Sequence, residues 1–223
     1  MKIKSIILNT ETVQAILNGK KTCIRKIIKP TQFIGLLPDK CKNAMPEEFI
    51  KEKRLMFKPY CDMTDSELIS TVYNSPYQQG DVLYVRETVW QKIGHYLDVD
   101  GETKPSWYNE FRYVASDEKP ETGWNYSWVK RPSIHMPKGA ARVWLKVTDV
   151  RVERLQEITI DGIRNEGISS MAVHAGDMEI ALKEWKNLWN NTIKKTDLDR
   201  YGWDTNPRVW VIEFERCEKP EVN

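Results

Sequence analysis

Little in the sequence points to a metal, a disulfide framework or a membrane. Its four cysteines (Cys23, Cys41, Cys61 and Cys217) lie far apart, no two form a C-x-x-C pair, and only His95, His135 and His174 accompany them. A structural zinc site needs tighter ligand spacing, so no metal and no other cofactor is expected. The opening MKIKSIILNTET lacks the apolar run of a signal peptide. Nowhere does the chain approach the ~20 apolar residues of a membrane span. A soluble, reducing, cytoplasmic setting with free thiols is the expectation. Net charge is also nearly absent: 34 basic residues face 32 acidic ones, for a formal +2. No global field draws such a chain onto nucleic acid, and any basic function must come from a local patch. Internal repeats and low-complexity segments are missing too.

What is present is enough apolar residue, 40% of 223 positions, for one large domain or one domain carrying a long insertion. Lys2 to Leu8 alternates and is rich in isoleucine, which predicts a first strand. Asn9 or Thr10 can cap a helix with the apolar stripe Val13, Ile16, Leu17, ended by Gly19. Thr22 to Ile28 reads as a second strand, stopped by Pro30. Residues 31 to 76 are broken by Pro38, Pro46 and Pro59, with a charged helix candidate at Glu47 to Arg54, and read as a loop-rich insertion rather than a separate domain. Cys41 and Cys61 within it are expected as buried small hydrophobes.

After the Gly80-Asp81 turn, Val82 to Trp90 is predicted as one strand. Residues 91 to 130 read as a loop-rich hairpin or lid. Ala140 to Arg154 reads as a long strand or strand pair, Thr159 to Asn165 as a short helix closed by Gly167, and Glu179 to Asn190 as a helix with the stripe Ala181, Leu182, Trp185, Leu188, Trp189. NPRVWVIEFERC closes the chain as a strand. Strands dominate, so the expected class is mostly β with peripheral helices (α+β), a small β-barrel being favoured over a sandwich.

Four features carry candidate chemistry. In NGKKTCIRKII, Lys20, Lys21, Arg25 and Lys26 crowd the end of the first helix. The plain explanation is a surface turn answering the helix dipole; the functional one is a cationic rim in which Arg25 meets a phosphate or base edge and Lys21 supplies a movable charge. Arg86 and Glu87 lie on opposite faces of the predicted Val82 to Trp90 strand, and Glu87 shares its face with Leu83, Val85 and Val89. A carboxylate there is either an inter-strand ion pair or a group that binds an exocyclic amine or polarises water. His135 sits in RPSIHMPKGAAR between Pro132 and Pro137, with Lys138 and Arg142 beside it. It is either a buried histidine bonded to backbone or an imidazole displayed on a stiff loop. Last, there are nine tryptophans. Trp144, Trp185, Trp189 and Trp210 fall in periodic elements and read as core, whereas Trp90, Trp124 and Trp128 fall at element ends or in loops, where a ring can stack on a base.

Taken in order, the helix, the G-x-K turn (Gly19, Lys21, Arg25), the GDVLYVRETVW strand (Gly80, Asp81, Leu83, Val85 to Glu87) and the IHMP loop (Ile134 to Pro137) resemble the ASCH domain family of the PUA-like superfamily, and within it a phage- or prophage-borne branch. The resemblance spans Lys2 to Pro30, Tyr77 to about Glu157 and the closing strand. It implies a single domain, a PUA-like pseudo-barrel over 1–223 with the insertion at 31–76, and a cleft that binds RNA or a modified nucleoside, DNA being a further possibility. Lys21, Arg25, Arg86, Glu87, His135 and Arg142 are the implied ligand contacts. Some ASCH-type proteins are metal-independent amidohydrolases of N-acylated nucleosides or ribonucleases, which would make Lys21 and Glu87 catalytic. The threonine that follows the lysine by three positions in those amidohydrolases is Ile24 here. A third reading uses the domain as a scaffold for phage assembly or host interaction.

Overall fold

The computed structural model describes residues 1–28, 75–97 and 99–221. The elements run, in chain order, β1 (Ile3–Ile7), α1 (Thr10–Leu17), β2 (Cys23–Ile27), β3 (Val82–Arg86), β4 (Val89–Leu97), β5 (Thr103–Tyr113), β6 (Tyr126–Arg131), β7 (Trp144–Arg154), α2 (Ile160–Asn165), α3 (Met171–Ala175), α4 (Met178–Thr192), α5 (Leu198–Tyr201) and β8 (Arg208–Cys217), with short 3-10 turns between. The class is mixed α+β, as expected. The eight described strands form two open sheets, of order β1-β3-β7-β8-β2 and β5-β4-β6, rather than the closed barrel the strand content suggested. The proposed helix at Glu47 to Arg54, Cys41 and Cys61 lie outside the described residues.

The chain divides into two compact units. The first comprises Met1–Gly19, Asp81–Lys146 and Arg216–Asn223; the second comprises Lys20–Gly80 and Val147–Glu215. In the first, β1 runs parallel to β3, from Ile3 opposite Val82 to Ile7 opposite Arg86, and β3 is antiparallel to the start of β7. Helix α1 follows β1 because Asn9 caps it, its side chain accepting from Thr12 N, and Val13 and Ile16 bury its apolar stripe. Asp81 lies at the head of β3, buried, and accepts from Lys2 N at 3.2 Å and Lys4 Nζ at 2.7 Å.

The predicted Val82 to Trp90 strand breaks at Glu87 and Thr88, because residues from Val89 onward leave β3's ladder to pair with β5 and β6. What read as loop-rich between 91 and 130 is therefore a three-stranded antiparallel sheet. The strand expected from Ala140 begins at Trp144 instead, with Lys138–Ala140 in a 3-10 turn.

In the second unit β2 is antiparallel to β8, with Cys23 opposite Glu213 and Arg25 opposite Val211. One face of this pair, Cys23, Val209 and Val211, packs on Leu155, Ile158, Ile163, Val173, Ala181, Trp185 and Trp189. Helix α4 buries Ala181, Trp185 and Trp189 at four-residue spacing, while Leu188, expected in that stripe, is 43% exposed. Trp144, Trp185, Trp189 and Trp210 are all core, as their periodicity predicted.

Candidate functional site

The cationic turn does not form a rim. Gly19, at φ 69°, ends α1, Lys20 is exposed, and the chain then turns its next two alternate cations inward: Lys21 and Arg25 are buried on the same side as Cys23. Their shared anchor is Glu166. Lys21 Nζ donates to Glu166 Oε2 at 2.5 Å and to the Glu166 carbonyl at 2.8 Å, and Arg25 Nη1 donates to Glu166 Oε1 at 3.2 Å. Glu166 is placed by α2, whose N-cap Thr159 accepts from Gly162 N, and whose Ile163 is fully buried three residues before it. Lys26, the outermost cation of the strand, lies 3.4 Å from Tyr77 Oη and 5.0 Å from its ring; burial lowers the lysine pKa and raises that of Tyr77 to about 12.

Arg25 continues the network outward. Its Nη2 donates to Glu153 Oε2 at 3.0 Å, and its guanidinium lies 5.9 Å from the Trp185 ring. Gly162 makes room for it: a Cβ there would stand 3.2 Å from Nη2. Arg151 donates to Glu153 at 2.6 Å, to Glu213 at 2.6 Å and to Asp149 at 2.8 Å. Burial acts to lower the Arg151 pKa, but the bonds to Asp149, Glu213 and Glu153 outweigh it and raise it.

These side chains line a cavity of about 200 Å³, walled by Cys23, Arg25, Arg151, Glu153, Glu157 and Glu213, with Thr159, Asp161, Gly162 and Asn165 at the α2 side. That is smaller than the ~300–1,000 Å³ of pockets for drug-sized ligands and suits a single base or similar polar group. Four carboxylates meet two guanidiniums in this lining, so acceptors outnumber cations. Arg25 Nε, buried, has no hydrogen-bond partner among the described residues. Burial, then the Glu166 charge, pushes the Cys23 thiol up to about 12 against the pull of Arg25 and Lys21, which keeps it protonated and un-nucleophilic at neutral pH. Thr22 points away, exposed.

The other predicted residues gather in the first unit. Arg142 grips Glu87 with two parallel bonds, Nε to Oε1 at 2.9 Å and Nη2 to Oε2 at 3.0 Å, and its third donor, Nη1, reaches Ser116 Oγ at 2.6 Å. The guanidinium stacks on Tyr113, 4.0 Å from the ring centroid. Burial raises the Tyr113 pKa, with Arg142 opposing and Glu87 adding to it. Glu87 is 1% exposed. Arg86 donates to the carbonyls of Ile134 and Met136, and Met136 Sδ in turn accepts from Glu87 N, so the IHMP loop is laced to β3. His135 itself is exposed on its 3-10 turn, not bonded into a core.

The structure thus brings Lys21 together with Arg25, and Arg86 and Glu87 together with Arg142 and the His135 loop, each group within its own unit. Glu153, Glu166, Arg151 and Glu213 were not singled out in the sequence. A signal for Glu166 did exist: it stands three residues after Ile163 on a short helix, so an acid was due on the buried face. Asp149, Arg151 and Glu153 alternate along β7, which places three charges on one face. Among the described residues no group of three or more His, Cys, Asp or Glu is placed to hold a metal ion, and no helix is long and apolar enough to cross a membrane.

No family model matches the chain. No curated protein matches it either. Among solved structures, a crystal structure of an ASCH domain from Lactobacillus crispatus JV V101 matches with a TM-score of 0.37 and 8% sequence identity, covering 96% of this chain and 79% of that one. At this TM-score the likeness adds nothing to the strand order described above.

Proposed function

We propose that this protein is a PUA-like, ASCH-type nucleobase-binding protein, which takes the base of an RNA nucleotide or a modified nucleoside into the cavity beside Arg25. The carrying observation is the make-up of that cavity: about 200 Å³, with Glu153, Glu157, Asp161 and Glu213 against Arg25 and Arg151. Both guanidiniums already hold carboxylates. A phosphate entering here would meet more negative than positive charge, whereas an N–H-bearing edge meets acceptors. A carboxylate receiving the exocyclic amine of cytosine is a standard base contact. Lys21 and Arg25 then serve as the fixed cations that pair with Glu166 and, from Arg25, with Glu153, in place of a phosphate clamp. The order of sequence motifs that resembles ASCH domains supports the same ligand class, in a cytoplasmic setting.

Calorimetric titration of the full chain with cytidine, adenosine and uridine tests this reading. Cytidine and adenosine, which carry an exocyclic amine, bind; uridine, which does not, binds about tenfold or more weakly; Glu153→Gln erases the difference. Equal affinity for uridine, or an unaltered Glu153→Gln variant, contradicts it.

Hydrolysis of an N-acylated base is the second reading, favoured by the Lys21–Glu166 contact, one hydrogen bond back from Arg25. Lys21 finds its carboxylate partner there, while Glu87 is held by Arg142. With Thr22 turned out and Cys23 protonated, water would have to attack the acyl carbon, the base leaving as its free amine with the carboxylic acid as second product. Release of free cytidine from N4-acetylcytidine, lost in Lys21→Met, would establish it.

A further inference from the structure

The three-stranded sheet of the first unit has two unlike faces. Val89, Phe111 and Tyr113 lie on one, packed against Met136 and Ala140. The alternation of the strands puts Trp90, Lys92 and Gly94 of β4 on the other, with Tyr126, Trp128 and Lys130 as their cross-strand partners in β6 and Arg112 opposite Trp90 in β5. An antiparallel sheet commonly turns one face to water, and that face is ordinarily polar. Here it is tiled with rings, and nearly every ring carries a cation. Lys92 Nζ lies 4.6 Å from the Tyr126 centroid, 5.6 Å from Tyr108 and 6.0 Å from Trp128. Arg112 lies 5.9 Å from Trp128, and Lys130 and Lys119 lie 5.7 and 5.9 Å from Trp90.

Two glycines lay the tyrosines flat. A Cβ at Gly94 would stand 2.6 Å from the Tyr108 ring, and one at Gly123 would overlap the Tyr126 ring. Tyr108 is 48% exposed, and Arg112 and Lys130 are exposed as well. Against Lys92, Arg112 and Lys130 of the three strands, joined by Lys119 from the loop between β5 and β6, the described residues of those strands include one acid, Glu110, which is paired to Lys92 at 2.9 Å.

We infer that this face is a stacking platform for single-stranded RNA. Rings accept bases of any identity through their π-faces, and cations set among them can meet a backbone that carries one charge per nucleotide. An exposed cation–π contact is weak, so a lysine now over a ring can swing to a phosphate and yield the ring to a base. The excess of cations disfavours a basic partner, and the ringed surface favours unpaired bases, the ordinary state of RNA loops and ends, over a duplex. The inference rests on the sheet alone and not on the cavity of the second unit.

Fluorescence anisotropy of a labelled oligouridine, titrated with the full chain at several salt concentrations, tests it beside duplex RNA, oligothymidine and polyglutamate. Oligouridine binds, quenches tryptophan fluorescence and weakens with salt. Arg112→Glu/Lys130→Glu changes two exposed side chains; it keeps the wild-type circular dichroism, weakens binding at least about tenfold and flattens the log–log salt slope by about 1.4. Trp128→Ala weakens binding with the slope unchanged. Wild-type affinity in the double variant, equal binding of duplex or polyglutamate, tighter binding of oligothymidine, or no oligouridine binding at any salt overturns the inference. Cytidine calorimetry on the same double variant reports on the cavity separately, since neither residue lines it.

Discussion

Lys21 and Glu166 stand 145 positions apart in sequence and hold each other twice, through the carboxylate and through the Glu166 carbonyl. Glu166 also takes Arg25. One buried carboxylate thus serves two buried cations, of which Arg25 has a second carboxylate in Glu153 and Lys21 pairs with Glu166, which makes the cluster asymmetric under mutation.

Glu166→Gln strands Lys21 and leaves Arg25 to Glu153 alone, and is expected to cost about 3–5 kcal/mol, the usual penalty for breaking a buried ion pair from one side. Lys21→Met leaves Glu166 with Arg25 and should cost less, about 1–3 kcal/mol. Urea unfolding of the two variants checks the order. A Lys21→Met variant less stable than Glu166→Gln would contradict it.

Glu87 and Arg142 form the corresponding tie in the first unit, with the carboxylate sealed and the guanidinium bidentate. A lysine cannot reproduce the fork. A double-mutant cycle of Glu87→Gln and Arg142→Lys should give a coupling energy of about 2–3 kcal/mol in unfolding free energy; a value near zero would show that the pair carries no stability.

Arg86 acts on the IHMP loop through two backbone carbonyls. Arg86→Ala should raise hydrogen exchange across residues 132–137, where the amides of His135 and Met136 bond within the turn, at a cost to global stability of about 1–2 kcal/mol. Unchanged exchange in that segment would mean the prolines alone hold the loop.

Cys23 gives the pH dependence. Its thiol is pushed up to about 12 from an ordinary 9.0. Between those values the unfolded chain has lost this proton and the folded chain keeps it, so the contribution is fully present below pH 9 and is lost as pH rises towards 12. The slope from this one group is at most about 1.4 kcal/mol per pH unit. Cys23→Ser should flatten the alkaline limb of the stability curve. By the same reasoning Cys23 resists iodoacetamide at pH 8 in the folded protein and reacts on unfolding, as peptide mass spectrometry would show.

Much of the fold was legible because it is local. Asn9, one of the two residues able to cap the first helix, does so, and Thr159 caps the helix expected to begin there; Gly19 and Gly80 take the left-handed conformations their turns require, and the tryptophans at helical and strand period are core. The break at Glu87 was not legible, because it depends on which strand Val89 pairs with, a non-local choice that alternation alone cannot reveal. The three-stranded sheet was hidden by its own composition, since a face of rings and cations does not show the apolar–polar alternation that marks a strand.

The site was half legible for the same reason. That Lys21 and Arg25 share a side follows from their spacing. That they turn inward depends on Glu166, far along the chain on a helix that packs against β2. Glu87 was recognisable as a carboxylate on an apolar face, and its partner Arg142 as a nearby cation, but their pairing follows only once the Tyr113 ring and the Met136 loop have enclosed them.

The most direct test of the central claim is a crystal structure of the protein grown with cytidine. The base is expected in the cavity beside Arg25, its amine within hydrogen-bond distance of Glu153 or Glu213. A base bound elsewhere, or cytidine seated with its ribose towards those carboxylates, would overturn that reading.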